Sequence, residues 1–292
     1  MIDRLAVLPQ YLLPKQALTQ LMGSLARREG GAATTRVIRW FVGRYGVNMA
    51  EAAEPDIAAY ASFNEFFTRP LRPGARPIAR AEWICPVDGA ISQFGRVEAG
   101  QIVQAKGHRY SATALVGGDA GLAARFADGW FATLYLSPKD YHRIHMPADG
   151  RLLRMIHVPG ALFSVNPTTA RGVPGLFARN ERVVCEFESP ATAARWVLVL
   201  VGATIVGSMA TVWHGTVNPP RPGRVREWRY DQHEMVLRQG EEMGRFLLGS
   251  TVVMLLPPGP LAFNPGWQPG GAIRLGEPMA GSPDTGAPTT GT

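Results

Sequence analysis

From Pro70 onward the chain is cut into short apolar or alternating runs, at 132–136, 183–187, 196–201 and 251–256 among others, separated by Gly, Pro, Asn and Asp. Runs this short match strands, and the turn formers between them end any helix, so the body of the protein has to be built mainly of β-structure. A hydrophobic fraction of 46% over 292 residues is enough to give such a body a core.

The start of the chain reads differently. Leu18, Leu21, Met22 and Leu25 fall at i, i+3, i+4 and i+7, one face of a helix, with Lys15, Arg27 and Arg28 near its ends. A second short helix carries Val37, Trp40, Phe41 and Tyr45, with Arg36, Arg39 and Arg44 between them. Such faces can rest on a bilayer interface or pack on the protein core, and the sequence leaves both open. Past Gly276 the chain is mostly Gly, Pro, Ser, Thr and Ala, the composition of a disordered tail. The expected fold class is α+β: N-terminal amphipathic helices followed by a β-rich body with mixed sheets. The expected divisions are a helical, membrane-associating region at 1–62, the β-rich body at 63–275 and the tail at 276–292.

Charge narrows the partners. Thirty Lys and Arg oppose 23 Asp and Glu, a net +7 with a pI near 9.8, so the chain is drawn to something acidic. The arginines are scattered and no nucleic-acid motif accompanies them, which favours an anionic lipid surface over nucleic acid. Cys85 and Cys185 show no metal-ligand spacing and read as two small buried hydrophobes in a reducing compartment; no metal is expected. No stretch approaches the roughly 18 apolar residues of a spanning helix, and the N-terminus has no cleavable export signal.

Four places join reactive side chains to turn formers. Cys85-Pro86-Val87-Asp88-Gly89 sets a carboxylate at a turn, where it can orient an imidazole, although Asp-Gly is also an everyday turn. The stretch from Tyr135 to Pro147 holds His142 and His145 between two prolines. Imidazole gives and takes protons near neutrality, but loop histidines are more often plain hydrogen-bonding groups, and no Cys, Glu or third His lies near them in sequence to complete a metal site. Leu162-Phe163-Ser164-Val165-Asn166-Pro167 suits either a pocket wall or a turn. Finally, Gly249-Ser250 interrupts one continuous apolar run from Phe246 to Met254. Glycine inside a strand marks a bulge or a close backbone approach. A bent backbone beside a hydroxyl is what an internal acyl shift requires, and a structural bulge is the plainer alternative.

Taken together these segments resemble the phosphatidylserine decarboxylase proenzyme family, whose members cut themselves at a Gly-Ser bond in an LGST-type motif, here Leu248-Gly249-Ser250-Thr251. The resemblance extends to Phe66-Phe67-Thr68-Arg69-Pro70-Leu71 with Arg76-Pro77-Ile78, to Pro86-Val87-Asp88-Gly89 and to the whole of 135–147. It continues through Leu162 to Pro167, Asn180-Glu181-Arg182-Val183-Val184 and 201–208, all in family order. It covers the chain from about Phe63 to Pro258.

The resemblance implies a self-cleavage triad of Asp88, His145 and Ser250, a cut between Gly249 and Ser250, and His142 as the residue serving decarboxylation. It also puts Phe163 and Ser164 at the border of the substrate pocket. Asp88 would fix the tautomer of His145 and favour its protonated form, and His145 would take the Ser250 hydroxyl proton as the oxygen attacks the Gly249 carbonyl. Elimination from the resulting ester leaves dehydroalanine, which hydrolyses to a pyruvoyl group and ammonia. That pyruvoyl group, derived from Ser250, is then the cofactor, an electron sink for the departure of carbon dioxide. The implied partners are phosphatidylserine, anionic membrane lipid, and the large and small chains of the one proenzyme, with no nucleic acid; a homodimer is left open. The implied location is peripheral, on the cytoplasmic face of the inner membrane. Three other readings compete: a pyruvoyl decarboxylase of soluble amino acids, a silent membrane-binding module, and a serine hydrolase using Ser250. The last two predict an uncut chain, and the hydrolase would lack the Gly-x-Ser-x-Gly elbow.

Overall fold

A computed structural model describes residues 3, 7–105, 107–204, 208–219, 223–247 and 250–283, with Ser250 described through its backbone alone. Its centre is a nine-stranded sheet in the order Arg226–Arg229, Gly150–Val158, Arg182–Glu188, Arg195–Val201, Ser250–Leu256, Trp130–Leu136, Gly89–Arg96 and Ala272–Ile273, with Val236–Leu237 also paired to Gly150–Val158. The apolar runs read from the sequence occupy the middle of this sheet. They are continuous because the sheet is buried on both faces: Val252 and Met254 join one core with Leu134, Trp196 and Leu198, while Val253 and Leu255 join the other with Phe131, Val197 and Val199. Each such side chain contributes roughly 1.5–3 kcal/mol by leaving water, which makes Ser250–Leu256 one of the most firmly held strands in the molecule.

A second sheet runs Gly215–Thr216, Met209–Thr211, Glu242–Phe246, Arg143–His145. Among the described residues the strand pairs of every sheet are antiparallel, so the expected mixture lies in connectivity and not in strand direction. The expectation of a disordered tail from 276 is corrected in part. Pro278–Gly281 forms a strand between Trp83–Ile84 and Ala262–Phe263, and Met279 is fully buried, because even a Gly- and Pro-rich segment is ordered once its few apolar residues find a sheet edge. The rest of that tail, 284–292, lies outside the described residues.

Helices Pro9–Leu12, Lys15–Ala26 and Ala32–Tyr45 precede the body. Part of their apolar surface packs on the body, with Ile38 buried and Phe41 set against Phe63 and Phe66. Lys15–Ala26 buries only Thr19 and Ala26, and Ala32–Tyr45 buries only Thr34 and Ile38. Other large apolar residues stay exposed: Leu12 is 88% exposed, Trp40 61% and Leu21 58%, with Tyr11, Leu25 and Val37 also exposed. No described helix is long and apolar enough to cross a membrane.

Candidate active site

The register of three neighbouring strands draws the chemistry to one end of the main sheet. Ser250 opens its strand opposite Leu136, the last residue of Trp130–Leu136, and on the other side of that strand Ala90 pairs with Tyr135. Asp88, the loop leaving Leu136 and the start of the Ser250 strand therefore share one edge. Gly89 makes this approach feasible, because a Cβ at that position would lie 2.3 Å from the Tyr135 carbonyl oxygen.

Beyond Leu136 the chain turns through Ser137-Pro138-Lys139-Asp140, with proline at the second turn position. The Asp140 carboxylate accepts both the Ser137 N–H and its hydroxyl at 2.7 Å, and the Asp140 N–H donates to the Ser137 carbonyl. This locked turn aims the Asp140 carbonyl at His142, whose Nδ1–H donates to it at 2.7 Å. A carbonyl oxygen only accepts, so in neutral His142 the lone pair is on Nε2. That Nε2 is buried with no hydrogen-bond partner among the described residues, and burial pushes the imidazole down to about 3. The Phe67 ring covers His142 with centroids 4.1 Å apart. Phe67 is held there by the short helix Phe63–Phe67, whose N-terminus Ser62 caps by accepting the Glu65 N–H.

His145 lies on the strand Arg143–His145, and its backbone N–H donates to Pro86, two residues before Asp88. Its Nδ1–H donates to the Gly240 carbonyl at 2.8 Å, and its Nε2 meets the Tyr141 hydroxyl at 3.1 Å. Gly240 has φ +83°, a conformation open to glycine and rarely to other residues. Burial lowers the His145 pKa; the Gly240 bond and the charges of Glu242 and Asp88 oppose this only in part.

Asp88 is placed otherwise than expected. Its carboxylate accepts two bonds from Arg76 Nε, at 3.0 and 3.1 Å, a further one from Arg76 Nη2, and the Leu275 N–H at 2.9 Å. Among the described residues it shares no hydrogen bond with His145. The tautomer of His145 is thus set by Gly240, and its burial favours the neutral imidazole over the charged one.

Beside this edge lies a cavity of about 960 Å³. Met22, Leu25 and Trp40 of the N-terminal helices form one side, and Phe67, Leu136 and Ser164 are among those closing the other. Ser164 lines this cavity and Phe163 does not: Phe163 is buried edge-on against Tyr11 at 5.0 Å, with Lys15 and Arg179 over its ring.

A profile of the family described as phosphatidylserine decarboxylase matches residues 63–281, and a second, described as PSD, matches 5–46. The chain belongs to the phosphatidylserine decarboxylase family. Among its relatives in this family, a protein of Albidiferax ferrireducens is 74% identical over 97% of this chain and 99% of its own length. One of Variovorax paradoxus is 73% identical over 96% and 98%, and one of Dechloromonas aromatica 72% over 96% and 98%. Each is named phosphatidylserine decarboxylase proenzyme.

Of the residues the sequence marks out, Asp88, His142, His145 and the Ser250 backbone gather at one sheet end of this family member, with Ser164 at the cavity beside them. Leu248, Gly249, the Ser250 side chain and 205–207 lie outside the described residues. The sequence reading does not find Gly240, and it gives no role to Tyr141, Phe67 or Arg76. Arg76 stands in a segment that carries the resemblance, but nothing in its spacing pairs it with Asp88, and Gly240 looks like any other turn glycine.

Proposed function

We propose that the chain cuts itself between Gly249 and Ser250 and then converts phosphatidylserine to phosphatidylethanolamine and carbon dioxide at a membrane surface. One observation carries the reading: the strand beginning at Ser250 opens at the sheet end that also carries the buried His142, the part-buried His145 and a large apolar cavity.

In self-cleavage His145 is the base. Its Nδ1–H is committed to Gly240, so Nε2 is the nitrogen that accepts the Ser250 hydroxyl proton. The serine oxygen attacks the Gly249 carbonyl and the peptide becomes an ester. Loss of the Ser250 Cα proton expels the carboxyl end of the large chain, residues 1–249, and leaves dehydroalanine at 250. Water then replaces the nitrogen, which leaves as ammonia, and position 250 ends as a pyruvoyl group. The small chain, 250–292, stays seated because its first strand lies between Trp130–Leu136 and Arg195–Val201.

The surroundings of position 250 fit a pyruvoyl group, since an apolar cavity wall and the His142 Nε2, which has no partner among the described residues, lie at the same edge. When present, the pyruvoyl carbonyl supplies the electron sink for decarboxylation. His142 manages the proton. Its Nδ1–H is committed to the Asp140 carbonyl, so Nε2 is the atom that delivers a proton to the carbon that has lost carbon dioxide. The cavity takes the glycerol and acyl portion, with Ser164 at its border, and keeps water from the site.

The surface supports a peripheral place on the cytoplasmic face of the inner membrane. A buried leucine gains roughly 1.5–3 kcal/mol, so a row of exposed Leu, Tyr, Val and Trp beside Arg36, Arg39 and Arg44 favours an anionic bilayer as its partner. The direct test supplies purified protein with vesicles of phosphatidylserine and measures phosphatidylethanolamine and carbon dioxide in equal amounts. Release from free serine or another soluble amino acid, and none from the vesicles, would overturn the substrate.

A further inference from the structure

Arg76 is the best-anchored cation near the site. Nη1 donates to the Ala75 carbonyl at 2.7 Å, Nη2 donates to Glu51 Oε2 at 2.7 Å and to Asp88, and Nε spans both Asp88 oxygens. Every nitrogen of the guanidinium is therefore committed, and the arginine and Asp88 side chains are almost wholly buried. Nothing in the fold of the main sheet requires this. Arg76 belongs to the link that precedes the sheet, and Glu51 to a short helical turn, Met49–Glu51, that follows the outward-facing helix Ala32–Tyr45.

The arrangement reaches both future chains. The Leu275 N–H donates to the Asp88 oxygen that Arg76 Nε also holds, and Leu275 comes from the segment C-terminal to the cut. Asp88 is thus clamped between a guanidinium from one side and a backbone N–H from the other. It acts on His145 by its charge at a fixed place and not through a hydrogen bond.

The geometry points to Arg76 as the positioning residue of self-cleavage: its fork holds the Asp88 carboxylate in place, and Glu51 fixes the far end of the same guanidinium to the N-terminal region. This rests on the reading that Asp88 serves self-cleavage. A fork is needed because two parallel N–H bonds fix the plane of a carboxylate, whereas a lysine supplies charge without that plane.

The test follows self-cleavage of full-length protein by mass in Arg76→Ala, Arg76→Lys and Asp88→Ala, with circular dichroism to verify folding. Arg76→Ala is expected to cleave at least tenfold more slowly and to recover in part when non-denaturing guanidinium ion is added, since the ion can occupy the vacated site. A purely structural arginine would not respond in this way. Arg76→Lys, which preserves charge and most of the volume, is expected to fold and to remain slow without responding to guanidinium. Should Arg76→Ala fail to fold, Arg76→Lys alone decides, and a wild-type rate in it overturns the inference. So does a folded Arg76→Ala that cleaves normally, or one that is slow and does not respond to guanidinium. If Asp88→Ala itself cleaves normally, the reading of Asp88 fails first; if it is inactive while both Arg76 variants are normal, only the role of Arg76 fails.

Discussion

The Gly240 carbonyl accepts the Nδ1–H of His145 at 2.8 Å, across 95 residues of sequence. This bond leaves the reactive lone pair on Nε2, where the Tyr141 hydroxyl also reaches. His145→Ala removes the base while Asp88 keeps its own partners, so the variant is expected to fold and to remain a single uncut chain. Mass spectrometry after prolonged incubation checks this, and efficient cleavage in the variant would remove His145 from the mechanism.

His142 separates the second reaction from the first. In His142→Ala the self-cleavage base is untouched, so the chain is expected to be cut. Decarboxylation of phosphatidylserine should fall by about 10²–10⁴, the usual contribution of a positioned acid–base group. Phosphatidylethanolamine formation by the matured variant is the measurement. Activity near wild type would pass the proton role to another group.

The same burial predicts how stability depends on pH. His142 is held near 3 against 6.5 for an ordinary imidazole, and His145 is lowered as well. Between those values the unfolded chain binds a proton that folded His142 refuses. The His142 contribution to stability is therefore fully present above about pH 6.5 and is lost as the pH drops toward 3, by up to about 1.4 kcal/mol per pH unit. Urea denaturation from about pH 4 to pH 8 reads this slope, and His142→Gln should flatten it.

How the chain meets lipid is tested by its outward side chains. Leu12→Gln, Leu21→Gln and Trp40→Gln remove exposed apolar groups without opening the core. Combined, they should weaken binding to anionic vesicles by about tenfold or more, a change of 1.4 kcal/mol or above, with an unchanged melting temperature. A large drop in melting temperature would mean that these residues pack on protein instead.

Some of this was legible before the structure and some was not. The continuous apolar runs announced central strands because a sheet buried on both faces needs no polar alternation, and Thr251–Leu256 is the clearest case. The pairing of His142 and His145 with the Gly-Ser break was visible as motif. Periodicity found the helices but not which way their leucines face, since an interface and a core ask for the same spacing. The partners of Asp88 and His145 were out of reach: Arg76, Leu275 and Gly240 are brought in by tertiary contacts over long stretches of chain, and no local pattern encodes them. The tail misled because composition gave no weight to Met279, which is buried together with Ala280.

The central claim is self-cleavage at Ser250. Intact mass spectrometry of the natural chain and of Ser250→Ala tests it most directly. The account predicts two fragments from the natural chain, split after Gly249, the smaller with a pyruvoyl-blocked N-terminus, and an uncut 31.6 kDa chain from the variant. A natural chain that stays whole under native conditions, or a variant that is cut at the same bond, would contradict it.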